Sequence, residues 1–479
     1  MKLNQLIDNE SSRDIQSIML DSREKQANSI FFCLEGLSHD AHGFVQQAIE
    51  NGAVAIVHRH DDIYRDDAVV YHQVNDVMST LHDVSNRFYD YPSQKLTMIG
   101  ITGTNGKSTV MKTVRNILLR FGVNAGYIGT ISVEYGDKVL APSLTTPDIV
   151  ELNAYLKDMV DSGVSDVCLE VSSQGLALRR VEGIEFDSAS FTNLSHDHLD
   201  YHKTMEDYFA AKEILFDSLK KDAPFYINQD DPYGKRLLNK HAQRSVTYGL
   251  QGDADYRAKD IELYSDKTEF ILVHKGIEYP VVTNFVAMFN VYNCLNVIAI
   301  LHGQGYALES IIAQLVDIEH VDGRLTRIEE GQDFDVYVDF GHAPDSMEKV
   351  YQFVRSTLPK EGRLITVFGA AGARDHLKRP IMGKVSSQNC DWVILTEHDN
   401  RNEKVIDITQ DIISGMPEDN YEFVPIRIDA ITKALSMAKS GDAVVLIGKG
   451  EEKFIYREFG KEEWMGDDEA ARKVLRRMK

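Results

Sequence analysis

The chain has 479 residues, 43% of them apolar, which suits two to three packed domains rather than one ordinary core. Its 74 acidic residues outweigh 52 basic ones for a formal charge of −22, which excludes a general nucleic-acid or anionic-membrane binder, since either needs a basic face. Four cysteines, Cys33, Cys168, Cys294 and Cys390, stand far apart without a CxxC pair, so buried reduced thiols are expected rather than zinc or disulfides.

Residues 1–94 alternate short β-like runs, Ser29–Leu34, Ala53–His58 and Ala68–Val74, with helix-like stretches, Val45–Asn51 and Val77–Asp90. This predicts a small α/β domain that ends near Tyr91-Pro92-Ser93, where proline disfavours helix continuation. The next segment, 95–327, opens with the apolar run Leu96–Ile101, then Thr102-Gly103-Thr104-Asn105-Gly106-Lys107-Ser108-Thr109, then the helix-like Val110–Leu119. A strand, a phosphate loop and a helix follow one another. Glycines let backbone N–H groups close around phosphate oxygens, Lys107 neutralises phosphate charge, and the Ser108 hydroxyl suits Mg²⁺, so the segment is expected to bind ATP. Ile101 stands where the first glycine of GxxxxGK[ST] would be, which weakens a generic motor or GTPase reading.

Further along, the predicted strands Asp166–Val171 and Ser188–Leu194 run into polar ends, Glu170-Val171-Ser172-Ser173 and the run from Asn193 to His202. Ligands collect at the carboxyl ends of strands in open α/β sheets. Glu170, His198 and Ser108 suit Mg²⁺ on ATP phosphates, although a solvated loop or a transition-metal site fits the histidine run equally well. Residues 328–479, with predicted strands Phe334–Phe340, Leu364–Gly369, Trp392–Thr396 and Ala443–Ile447, read as a second doubly wound pattern. The N-terminus shows no basic stretch followed by an apolar run, and no span of about 18 apolar residues occurs, so a cytoplasmic protein is expected. On residue types alone Lys212 is an ordinary surface helix lysine, Asn290 and Asn293 a helix start, and Arg180 a solvated neighbour of Arg179.

With Asp21-Ser22-Arg23, the TGTNGKS loop, Thr145-Thr146-Pro147, EVSS at Glu170–Ser173, DHLDYH at Asp197–His202, Ala211-Lys212, Phe289–Asn293, Gly323-Arg324, Asp339–Asp345, Arg374-Asp375, Lys378-Arg379-Pro380 and Gly448-Lys449-Gly450 in order, the chain resembles the Mur ligase superfamily. Within it, the chain is similar to the UDP-N-acetylmuramoyl-tripeptide synthetases, which add the third residue of the peptidoglycan stem peptide. The resemblance implies three α/β domains: a UDP-binding domain over 1–94, a central P-loop ATPase-type domain over 95–327, and a Rossmann-like amino-acid domain over 328–479. It implies ATP activation of a peptide carboxylate as an acyl phosphate, which an incoming amine attacks. Gly103, Thr104, Asn105, Gly106, Lys107, Ser108 and Thr109 would hold the phosphates, Asn290 and Asn293 the adenine, and Arg324 and Asp339 the ribose, with His342 near the phosphates. Mg²⁺ would be held by Ser108, Glu170 and His198, with Lys107 and His198 in the catalytic centre and Lys212 carrying a CO₂-derived carbamate that ligates a second Mg²⁺.

The resemblance also places uridine against Leu20 and Ser22, and the muramoyl-dipeptide against Thr145, Thr146, Ser172 and Arg180. For the incoming amino acid it points to Arg374, Arg401, Gly448 and Glu452. Gln174, Leu178, Ala287, Phe340, Gly341 and Glu451 depart from the family pattern. So does the segment His398-Asp399-Asn400-Arg401, where diaminopimelate-adding members carry Asp-Asn-Pro-Arg. Arg401 favours a substrate with a second carboxylate, as in diaminopimelate. The acidic residues Asp399, Glu403, Glu451 and Glu452 favour a lone distal ammonium, as in lysine or ornithine. Both remain open, as do another Mur-type or folylpolyglutamate-type ligase and a catalytically lapsed nucleotide-sugar binder. The expected partners are small molecules (UDP-N-acetylmuramoyl-dipeptide, ATP and a free diamino acid), with no nucleic acid or membrane, and a monomer is expected.

Overall fold

The structure, a computed structural model, describes residues 1–36, 40–318 and 323–478. It is mixed α/β. Two compact units emerge, one comprising Met1–Gly100, Leu118–Ala189 and Ile214–Ala223, the other Ile101–Ile117, Ser190–Glu213 and Pro224–Lys479.

The first unit begins with a four-stranded parallel sheet in chain order, Ser17–Met19, Ser29–Phe32, Ala53–His58 and Val70–Gln73. Met19, Phe31, Cys33 and Ile56 pack on Val45 and Ala48 of the helix Val45–Glu50. Ala53–His58 is found with its predicted bounds and the other two predicted strands slightly shortened, while Ser17–Met19, only three residues long, gave no periodic signal. Asp76 caps the helix Val77–Phe88 by accepting from the Ser79 N–H. The same unit carries Ala125–Ile128 parallel to Asp166–Glu170, and the antiparallel strands Val133–Tyr135 and Lys138–Leu140.

The phosphate-loop strand Thr97–Thr102 is apolar throughout its middle, with Met98, Ile99 and Ile101 fully buried, as expected of a strand covered on both faces. In the second unit Phe225–Asn228, Ser245–Gly249 and Tyr256–Leu263 are parallel, and Thr268–His274 and Ile277–Thr283 add two antiparallel strands. This ribbon has no counterpart among the predicted elements. Its burial alternates strictly along Thr268–His274, a one-faced pattern unlike the continuous apolar runs elsewhere.

The second unit ends in a six-stranded sheet ordered Thr326–Arg327, Asp335–Asp339, Ala443–Ile447, Leu364–Phe368, Trp392–Leu395, Tyr421–Phe423, parallel except at its first strand. Tyr337, Leu364, Phe368, Val445 and Ile447 face the helices Pro344–Thr357 and Lys378–Asn389. Their neighbours Val336, Val338, Ile365 and Val444 face Arg427–Met437 and Asp467–Met478. Each such fully buried aliphatic side chain contributes about 1.5–3 kcal/mol. Strand Ala443–Ile447 lies between the earlier Asp335–Asp339 and Leu364–Phe368, so the strand order reverses there. Loops at the carboxyl ends of strands around such a reversal form a binding crevice. All four cysteines are buried thiols outside any disulfide, as expected.

Candidate active site

In the second unit, the loop after Thr102 turns at Gly103 and Gly106, both with positive φ, and enters the helix Lys107–Arg120. A Cβ at Gly103 would collide with the Thr192 hydroxyl, and one at Gly106 with Asn293 Oδ1, so glycine is required at both. The loop is held from behind: Asn193 Oδ1 accepts from the Asn105 N–H at 3.0 Å, and the Thr192 hydroxyl donates to Asn105 O at 2.6 Å. Ser108 and Thr109 are buried in the first helical turn. The helix N-terminus favours an anion in front of it.

Lys107 and Lys212 both donate to one carbonyl, Gly103 O, at 3.0 and 2.9 Å. Lys212 lies on the helix Met205–Asp217, is buried, and rests 4.6 Å from the centroid of the Tyr208 ring. It is not the exposed lysine its residue type suggests. Burial, then the Lys107 charge, push its pKa well below the ordinary lysine value. A neutral amine in such a setting is the species that reacts with CO₂, so Lys212 fits the carbamate chemistry.

Asp197 and His198 follow within the same unit. Buried Asp197 lies 3.3 Å from Lys378 Nζ, 3.6 Å from His198 Nε2 and 3.8 Å from His342 Nε2. Burial opposes its ionisation, yet Lys378 and the two histidines hold it well below the usual carboxylate range. His198 sits at φ +55°, a left-handed conformation that turns its ring, and burial lowers its pKa. Burial, helped by Lys378, brings His342 down to about 4. Both rings are thereby shifted toward the neutral form, the form in which an imidazole ligates a metal. Asn293 Nδ2 donates to Asn290 Oδ1 at 2.8 Å, which leaves part of each amide for a base edge. Asp339 accepts from the Leu325 and Gly341 N–H groups at 2.8 and 2.6 Å, and Arg324 reaches the Ser108 hydroxyl at 3.4 Å.

The first unit collects another set. Glu170, fully buried at its strand end, accepts from the Tyr127 hydroxyl, from Thr130 Oγ1 at 3.0 Å and from Thr130 N at 3.4 Å. These partners are uncharged, and a buried carboxylate at a strand end suits a metal ligand. Thr146 Oγ1 donates to Glu170 O at 2.9 Å and accepts from Ser172 N at 2.9 Å, while Arg180 donates to Thr146 O at 3.1 Å. Thr145, Thr146, Ser172 and Arg180 are thus gathered around one strand end. Ser22 lies after strand Ser17–Met19, its hydroxyl donating to Gln47 at 2.8 Å, with Leu20 half-buried beside it in sequence.

The carboxyl-end loops of the six-stranded sheet bring Gly448, Glu452, Arg374 and Arg401 into one neighbourhood. Buried Lys449 donates to Asp399 at 3.0 Å and also pairs with Glu452. Glu403 accepts from Arg379 at 2.8 Å, and Glu451 from the Gly323 N–H at 3.1 Å. All four acidic residues are engaged within the chain. His398 accepts from the Asp399 N–H at 2.7 Å and meets Gly448 O at 3.1 Å, tying the two loops together. Arg401, at φ +50°, donates to Gly372 O at 2.6 Å and covers the Tyr456 ring. Burial and then the Arg374 charge lower its pKa, so the two guanidinium groups repel one another across this pocket.

Sequence reasoning assigned no role to Tyr127, Thr130, Tyr208, Lys378 or Lys449. Lys378 and Lys449 were visible inside KRP and GKG, but Asp197 lies 181 residues from the first and Asp399 lies 50 residues from the second.

Residues 101–301 match the Mur ligase middle domain, and residues 323–450 match the Mur ligase glutamate ligase domain. The chain is 39% identical to UDP-N-acetylmuramoyl-L-alanyl-D-glutamate–2,6-diaminopimelate ligase 1 of Clostridium acetobutylicum, over 94% of this chain and 92% of that one. It is 38% identical to the corresponding ligase of Clostridium botulinum, over 93% and 92%. A solved structure of a ligase of the same name is similar with a TM-score of 0.69 at 27% identity, covering 100% of this chain and 99% of that one. The chain belongs to the Mur ligase family.

Proposed function

We propose that the protein is an ATP-dependent, Mg²⁺-requiring ligase that joins meso-diaminopimelate to the D-glutamate of UDP-N-acetylmuramoyl-L-alanyl-D-glutamate, a cytoplasmic step of peptidoglycan synthesis. The observation that carries the choice of amino acid is the pairing of Lys449 with Asp399 and Glu452 beside Arg401 and Arg374. Because each of these acids is already engaged by Lys449, Arg379 or the Gly323 N–H, a substrate offering only a distal ammonium finds part of that negative charge compensated. Two neighbouring guanidinium groups instead favour a substrate with two carboxylates, since arginine binds carboxylate bidentately. The names of the long, similar relatives agree with this choice and weigh against a folate substrate.

In this reading residues 1–94 receive the uridine nucleotide at Leu20 and Ser22, 95–327 receive ATP, and 328–479 receive the amino acid. Backbone N–H groups of Gly103–Thr109 and the Lys107 ammonium take the ATP phosphates, while Asn290, Asn293, Arg324 and Asp339 seat the nucleoside. Mg²⁺ supplies charge neutralisation on the transferred phosphoryl group, with Ser108, Glu170, His198 and carbamoylated Lys212 as its ligands. The carbamate turns a cation into an anionic oxygen donor. Arg180, Thr145, Thr146 and Ser172 orient the dipeptide so that its terminal carboxylate meets the γ-phosphate, and the amine then attacks the acyl phosphate and expels phosphate. Positioning and neutralisation account for most of such catalysis. His342 stays neutral and hydrogen-bonding near the phosphates.

Phosphate release and product mass, measured with ATP, Mg²⁺ and UDP-N-acetylmuramoyl-L-Ala-D-Glu against meso-diaminopimelate, lysine and ornithine separately, test this. The reading expects a mass gain with diaminopimelate. Product with lysine or ornithine alone overturns the amino-acid choice, and no product with any of them favours the lapsed nucleotide-sugar binder.

A further inference from the structure

We propose that Thr130 is a positioning residue that couples the UDP-muramoyl-dipeptide site to the metal site through a directed hydrogen-bond relay, Thr145 to Thr130 to Glu170. The inference rests on the functional reading above for the roles of Thr145 and Glu170, and on geometry for the link between them. Thr130 Oγ1 lies 3.0 Å from Glu170 Oε2 and 3.1 Å from Thr145 Oγ1. An ionised carboxylate only accepts, so the single Thr130 hydroxyl proton points at Glu170. Thr145 must then donate to Thr130, and its own oxygen is left to accept. The polarity of the chain is therefore fixed. Whatever group of the substrate engages the Thr145 oxygen is a donor, an amide N–H or a hydroxyl, rather than a phosphate or carboxylate.

The carboxylate is held too tightly to take other orientations. The Tyr127 hydroxyl donates to Oε1, Thr130 N reaches the same oxygen at 3.4 Å, and a Cβ at Gly129 would collide with both Glu170 Oε1 and the Tyr127 hydroxyl. Thr146, the residue after Thr145, grips the backbone of the same glutamate through Glu170 O at 2.9 Å. The substrate threonines thus contact Glu170 through its side-chain chain of bonds and through its main chain. Hydrogen bonds in series polarise one another, and this chain of bonds is partly buried. A donor arriving at Thr145 accordingly strengthens the whole chain and fixes Glu170 in its metal-ligating pose. By linkage, metal and UDP-substrate tighten each other's binding.

The test titrates Mn²⁺ into the full-length protein, reading free Mn²⁺ by electron paramagnetic resonance with and without UDP-N-acetylmuramoyl-L-Ala-D-Glu. In the native protein the substrate is expected to tighten Mn²⁺ binding about fivefold or more. Thr130→Val brings that ratio close to one, Thr130→Ser retains it, and Thr145→Val loses it as Thr130→Val does, which separates loss of the relay from a local packing defect. A native-like ratio in Thr130→Val overturns the relay, as does a native protein whose Mn²⁺ affinity ignores the substrate. Glu170→Gln tells this failure from failure of the functional reading. If that variant weakens Mn²⁺ while Thr130→Val keeps the coupling, only the relay falls; if it binds Mn²⁺ unchanged, Glu170 is no ligand and both fall.

Discussion

At the phosphate loop the backbone makes the site: Gly103 and Gly106 turn where no Cβ fits, and the chain passes straight into a helix N-terminus that favours an anion. At the amino-acid pocket side chains make it, and they come from far apart: His398, Asp399 and Arg401 after one strand, Lys449 and Glu452 after another, with Asp399 and Lys449 separated by 50 positions. Phosphate is the same in every substrate, so a local motif suffices to hold it. An amino acid is told from its relatives by the balance of charge, and that balance depends on which acid is already paired with which lysine. The first region is therefore read from a short string and the second only from the fold.

The largest expected effect falls on the phosphate side. Lys212→Ala removes the proposed carbamate, and activity is expected to drop by about a hundredfold or more, as when a preorganised charge stabiliser is lost. Short added carboxylates should restore part of it; full activity in the variant removes Lys212 from the mechanism. On the pocket side, Lys449→Met leaves buried Asp399 and partly buried Glu452 without their cation, which costs about 3–5 kcal/mol by analogy with other broken buried pairs. A chemical-denaturation midpoint close to native would show that the acids are not held as described.

Acid titration sharpens the contrast further. His342 near the phosphate loop has its pKa pushed to about 4, and His398 in the pocket is also lowered by burial, against an unfolded histidine near 6.5. The unfolded chain binds more protons than the folded one between those values, so stability falls as pH is lowered from about 6.5 toward 4. His398→Asn should flatten part of that slope in a thermal unfolding series; an unchanged slope would assign the acid sensitivity elsewhere. The smallest effect concerns Ala287, which holds φ +77° and ψ 150° just before helix Met288–Gly303. Glycine adopts that conformation without penalty, so Ala287→Gly is expected to raise stability by about 1 kcal/mol, read as a higher melting temperature.

Much of the fold was legible. The strand ending at Thr102, the strand carrying Glu170 and the four main strands of the last sheet lie within a few residues of their predicted bounds, because strands buried on both faces leave continuous apolar runs. The ribbon of Tyr256–Leu263, Thr268–His274 and Ile277–Thr283 was not recognised: its apolar residues are diluted by alternation, with Ile277 and Val282 exposed. Lys212 carried no local sign of burial: Tyr208 stands one helical turn before it, but Gly103 is brought to it by tertiary packing. The four acids of the pocket misled for a related reason. Their number is written in the sequence, whereas their engagement by Lys449, Arg379 and a backbone N–H is a property of the folded loops.

The pocket claim is tested most directly by the ratio of kcat/KM for meso-diaminopimelate to that for lysine, in the native protein and in Arg401→Ala. If Arg401 reads the second carboxylate, the native ratio is large and falls by about ten- to a hundredfold in the variant, the size of a lost charge-assisted hydrogen bond, with the lysine value little changed. A ratio that stays the same in Arg401→Ala contradicts the account.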